Sequence, residues 1–195
     1  MGEGGQSYRE AVEAARRVYD KQVAKLEEID DKAMRTARTG ILVMGFIAAA
    51  LTNAGADAVS SLPNTAAIAG GLGTAAVVAS SFVSIGIYTM TEYPFEIQGR
   101  HIDAADDTPP EEWLSTALDR LKDSSIELAG EIKRNAEYLE MAQLFLLLGI
   151  IFLVYSSSVT ILRRSYGIVL GIQPLSFLIG AGAALLGQVL YNFLQ

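Results

Sequence analysis

The distribution of charge limits this chain more than any other feature. Residues 39–91 carry a single charged side chain, Asp57, and residues 141–162 and 165–195 carry none. Acids and bases crowd instead into residues 9–38 and 92–140. A water-soluble domain has about 25% charged residues spread over its surface. Here the share is 19%, and it is segregated. Long uncharged runs between wet segments point to an integral membrane protein, whose partner is the lipid bilayer.

Four apolar stretches follow from this: residues 40–56, 65–90, 141–162 and 166–194, the last with a helix start near Pro174. A helix rising about 1.5 Å per residue needs roughly 20 mainly apolar residues to cross the hydrocarbon core. Unpaired backbone groups are too costly in lipid, so each crossing must be helical. Pro63 and Asn64 mark the turn between the first two, with Asn64 or Thr65 as the cap of the second. Arg163 to Gly167 join the last two. The chain therefore reads as two membrane hairpins.

The charged segments carry helical periodicity. Tyr8, Val12, Ala15, Tyr19, Leu26, Ile29, Ala33 and Ala37 recur every three or four residues once the polar Gln22 fills the gap between Tyr19 and Leu26, and Ser7 with Glu10 fits a capping box. No proline or glycine separates this pattern from the first apolar run, so one helix is expected from about residue 8 to 53. Thr108, Pro109, Pro110 and Glu111 form a second helix-start signal. Behind it Leu114, Leu118, Leu121, Ser125, Leu128, Ile132, Asn135 and Leu139 keep the same spacing, predicting a helix over about 109–161. Ser125 and Asn135 are polar seam residues of the kind that sets register and oligomer state.

The expected fold class is thus all-α: four transmembrane helices with two long cytosolic extensions that form a coiled-coil-like hairpin or pair across subunits. The expected organisation is a cytosolic amphipathic helix (1–38), a first membrane hairpin (39–91), an acidic loop with a long cytosolic helix (92–140) and a second membrane hairpin (141–195). Lys32, Arg35, Arg38, Lys133 and Arg134 flank the spans on the arm side. They place the arms and both termini in the cytoplasm, at the plasma membrane, by the positive-inside rule. Arg163 and Arg164 fall on the opposite side.

Function classes narrow by absence. There is no cysteine, so disulfides, thiolate metal sites and cysteine nucleophiles are excluded. His101 is the only histidine, which excludes histidine-pair metal motifs and histidine-relayed triads. A net charge of -7 without a basic patch excludes nucleic acid as a partner. No enzyme activity and no cofactor are expected. Residues 1–7 lack the basic and apolar regions of a signal peptide, and Gln6 breaks the myristoylation pattern that Gly2 would open. The stretch 92–112 is acidic, and Asp103, Asp106 and Asp107 are the weak candidates for a divalent cation against a reading of plain solvation at a helix start.

Inside the apolar runs, small residues stand out. Ala67, Gly71 and Ala75 form one stripe, and Ala76, Ser80 and Ser84 a second. Such stripes let helix backbones approach closely, within the chain or between subunits, and can also line a pore. Ser176, Gly180 and Ala184 form a third stripe, continued by Gln188, Asn192 and Gln195. The spans hold no charged residue in their middles, which argues against coupled transport and leaves a passive pore or a structural anchor.

The junctions YDKQVAKLEEIDDKAMRTARTGILVMGFIAAAL and KRNAEYLEMAQLFLLLGIIFLV, with 5 Lys against 10 Arg, resemble small multi-pass proteins of halophilic archaea. The order helix, membrane hairpin, long cytosolic helix over residues 8–140 is similar to the SLATT class of membrane effectors. That resemblance implies homo-oligomers that perforate the membrane. SLATT proteins usually have two spans, and the second hairpin here is additional. The expected function is an oligomeric protein that forms or gates a passive pore, with the arms for assembly or sensing. The alternative is a non-conducting anchor whose arms recruit a cytosolic protein partner; a membrane enzyme using the three aspartates ranks last.

Overall fold

The computed structural model describes residues 3–90 and 109–166, and in the C-terminal stretch Ser176, residues 179–184, Gly187, Gln188 and Tyr191. Three long helices account for almost all of these residues, and no strand occurs among them. Helix α1 runs Glu3–Ser60, α2 Asn64–Met90 and α3 Pro110–Tyr166. All three are long and apolar enough to cross a membrane. The fourth expected span falls mostly outside the described residues; those described within it are helical.

The helix starts differ from the expected caps. Helix α1 begins at Glu3, so Ser7 lies inside its first turns and does not cap it. The first bond of α2 runs from the Ala67 N–H to the Pro63 carbonyl at 2.9 Å, which makes Pro63, and neither Asn64 nor Thr65, the capping position. In α3 the Trp113 N–H donates to the Pro109 carbonyl at 3.0 Å, placing Pro110 at the first helical position, where its missing N–H costs nothing.

Helix α1 passes from charged to apolar sequence without a break as far as Ala54. At Gly55 the backbone turns to φ 76°, ψ 166°, a conformation open to glycine alone. Many hydroxyls along the apolar segments are satisfied locally. Thr36, Thr39, Thr52, Thr74 and Thr160 each donate to the carbonyl four residues back. Ser157 and Ser158 do the same, so the polar run 156–158 leaves no serine hydroxyl unpaired.

Contacts divide the chain into two compact units: Met1–Asp31 with Met90–Ala136, and Lys32–Thr89 with Glu137–Gln195. In the first, Tyr19, Leu26 and Ile29 of α1 and Leu121, Leu128 and Ile132 of α3 are buried, together with Asp30 and Asn135. Ser125 Oγ donates to Gln22 Oε1 at 2.9 Å between the two segments. Val12 and Ala15, and Leu114 and Leu118, are only half-buried. Burial thus deepens toward the C-terminal end of both segments, as it does for helices running in the same direction. Opposed helices would set the deep end of one against the shallow end of the other, whereas the sequence expectation of two arms each running into its own apolar stretch gives both the same direction. The return run through α2 separates the two segments in sequence and lets them run alike.

In the second unit α1 and α3 both lie antiparallel to α2. A turn at 61–63 folds α2 back on α1, and Gly40 meets Ser81 there so closely that a Cβ at residue 40 would overlap the Ser81 hydroxyl. Many of its buried residues are small: Ala33, Ala37, Ala66, Ala69 and Ala142 are all but inaccessible, beside the larger Val77, Ile87, Leu139, Phe152 and Val159. Beyond Gly40, Ile41, Leu42, Phe46 and Leu51 of α1 are exposed, while Val43, Met44 and Ile47 stay half-buried.

Candidate functional site

The most regular close approach among the described residues is the seam between α2 and α3. Its residues step by seven along each helix: Ala66, Gly73 and Ser80 on α2; Ala142, Gly149 and Ser156 on α3. Antiparallel packing pairs each alanine with the opposite serine and the glycines with one another. Ser80 Oγ donates to the Ala142 carbonyl at 2.6 Å, and Ser156 Oγ donates to the Ala66 carbonyl at 2.7 Å. At the centre, a Cβ on Gly73 would lie 2.9 Å from the Gly149 carbonyl oxygen and 2.9 Å from Leu153 Cγ. A Cβ on Gly149 would lie 2.9 Å from the Gly73 carbonyl oxygen and 2.7 Å from Val77 Cγ2. The seam is locally two-fold: either helix presents the same three residue types to the other.

Each residue type has its reason. Glycine at the centre allows carbonyl-level contact, which increases dispersion contact between the helices. Alanine leaves its carbonyl reachable from the side. Serine supplies a donor short enough to reach that second lone pair without separating the backbones. Gly70 extends the fit, since a Cβ there would lie 3.1 Å from Ser156 Oγ. Two buried hydroxyls stand outside this pairing: among the described residues, Ser84 Oγ and Tyr155 Oη have no hydrogen-bond partner. Ser84 is fully buried one turn beyond Ser80, and Tyr155 packs against Ala69 and Phe152.

The sequence-derived candidates separate cleanly by placement. Ala67, Gly71 and Ala75 lie on an exposed face of α2, and no atom comes within 4 Å of the place a Gly71 Cβ would take. Ala76 is half-buried; Ser80 and Ser84 are fully buried. Ser176, Gly180, Ala184 and Gln188 are helical and exposed, while Asn192 and Gln195 lie outside the described residues. On the same stretch Gly182 is buried against Leu148. Ser125 meets Gln22, and Asn135 is buried. Asp103, Asp106, Asp107 and His101 lie outside the described residues. Among the described ones no group of three histidine, cysteine or carboxylate side chains could hold a metal.

Sequence reasoning found Ser80 but missed the partners that give it meaning. A search for four-residue stripes selects single faces of single helices. The signal that finds the seam is a seven-residue one, alanine, glycine, serine, present once in each helix.

No family model, curated protein or solved structure matches this chain.

Proposed function

We propose that the chain is an oligomeric membrane protein that forms or gates a passive pore, with its charged helical arms serving assembly or sensing. The observation that carries the reading is the two-sided use of small residues on α2. One face is committed to α3, and the other, Ala67, Gly71 and Ala75, is exposed on an uncharged helix. In lipid, an exposed small-residue face favours close packing against another helix. The α2–α3 contact leaves no room for a conduit between those two helices, so a pore would form between copies of the chain, lined by small residues and backbone.

In this proposal four helices cross the plasma membrane, both termini are cytoplasmic, and α1 and α3 pair through coiled-coil-like seams in the arms. The membrane-perforating behaviour suggested by the resemblance to SLATT effectors fits this arrangement. The test is conductance across planar bilayers by the purified full chain. Channel events in the wild type that Gly71→Leu abolishes support the proposal; a silent wild type at every protein density overturns it.

A second reading has its own support. Val18 and Ile126 are large apolar residues exposed on the arms, 52% and 64% accessible, where water would surround them. They favour a cytosolic protein partner held at the membrane by a non-conducting anchor. Capture of one specific partner, lost on Ile126→Glu, without any leak, would select this reading over the pore.

A further inference from the structure

We infer that Arg163 and Arg164 form a binding site for the phosphates of anionic lipids, in the leaflet opposite the arms. The inference rests on the membrane-crossing reading of α3 and not on conductance. The 22 residues 141–162 carry no charge and precede the arginine pair directly. At a rise of about 1.5 Å per residue they extend about 33 Å, against a hydrocarbon core of about 30 Å. With Glu140 at one edge of the core, the two guanidinium groups fall at headgroup depth on the other. Both belong to the last turn of α3 and both are exposed. Neither takes part in a hydrogen bond or ion pair among the described residues.

The chain offers almost nothing of its own to neutralise them. No aspartate or glutamate follows Glu140, and between Asp31 and Glu92 the only one is Asp57. Asp57 is exposed beyond the Gly55 kink and can satisfy one guanidinium at most. On the far side of the membrane the protein therefore presents two cations against one carboxylate. A planar guanidinium binds two phosphate oxygens at once, and lipid phosphates lie at that depth. The site also explains why two arginines persist on the side that the positive-inside tendency disfavours.

The experiment uses the full chain in vesicles of phosphatidylcholine with and without phosphatidylglycerol, followed by extraction and native mass spectrometry. The wild type should retain phosphatidylglycerol in preference to phosphatidylcholine. Arg163→Gln/Arg164→Gln should weaken that retention about ten- to thirtyfold, at roughly 1 kcal/mol per arginine. A control with Lys32→Gln and Arg35→Gln should keep the far-leaflet component, read from vesicles holding the anionic lipid in that leaflet only. Displacement by millimolar inorganic phosphate would reassign the site to a free anion and overturn the lipid proposal. Equal retention by wild type and double variant would also overturn it, and would leave the conductance reading untouched.

Discussion

Gly73 of α2 and Gly149 of α3 face each other so closely that a methyl group on either would come within 2.9 Å of the other's carbonyl oxygen. That contact fixes the depth to which the two helices interlock. It also fixes the two serine bonds on either side, because Ser80 and Ser156 reach their carbonyls only while the backbones stay that near. Three layers, each seven residues from the next, therefore act together.

Replacing either central glycine should separate the helices. Gly149→Val puts two methyl groups where Val77 and the Gly73 carbonyl already stand. Overpacking of this kind costs about 1–3 kcal/mol. The expected result is a lower unfolding midpoint in detergent for Gly149→Val and Gly73→Val. Gly71→Val, on the exposed face of the same helix, should leave the midpoint of the isolated chain unchanged.

The buried serines should behave in opposite ways. Ser80→Ala removes a cross-helix bond and should destabilise by about 0.6 kcal/mol, the mean for such bonds in membrane helices. Ser156→Ala should do the same, and the two effects should add, because the bonds lie two layers apart. Ser84 is equally buried but has no hydrogen-bond partner among the described residues. Ser84→Ala deletes an unsatisfied hydroxyl and should be neutral or stabilising. Equilibrium unfolding of the three variants decides the matter. Equal losses at Ser80 and Ser84 would contradict the assigned bonding.

Gly55 tests the kink. Its φ of 76° with ψ of 166° lies where a Cβ is strained. Gly55→Ala should cost about 1–3 kcal/mol or straighten the helix through that point. Spin-label distances between residues 51 and 60 distinguish strain from straightening.

The arm contact between Gln22 and Ser125 is a polar pair with apolar residues buried on either side of it along the seam, which also buries Asp30 and Asn135. Replacing both by leucine should raise the thermal midpoint, since a half-buried polar pair contributes less than apolar packing. Ser125→Leu alone leaves the Gln22 amide facing an apolar side chain and should lower it.

Much of this architecture is legible in the sequence, and the reasons are local. Three-to-four spacing from Tyr8 to Ala37, with the polar Gln22 filling its one gap and running into an apolar stretch, predicts a helix over 8–53; α1 spans Glu3–Ser60. The two prolines at 109 and 110 place the start of α3 within a residue. Ser7 and Glu10 form a capping pattern that does not mark the helix start, because the helix continues through them to Glu3. The direction of the arms is not carried by either seam, since like and opposed helices bury the same periodic positions; it follows from the order of charged and apolar sequence, which leads each arm into its own apolar run. The register of α2 on α3 depends on which residues meet across space. It appears only when the seven-residue steps of Ala66–Gly73–Ser80 and Ala142–Gly149–Ser156 are compared in reverse order.

The central claim is that the charge-free portions of α1, α2 and α3 cross a bilayer with the charged arms on one side. The absence of native cysteine makes the test direct. Single variants Val18→Cys, Ile126→Cys, Ser60→Cys and Ser165→Cys are labelled with a membrane-impermeant maleimide in sealed vesicles of known orientation. Residues 18 and 126 should react from the cytoplasmic side alone, and residues 60 and 165 from the opposite side alone. Reaction of all four from one side would contradict the account.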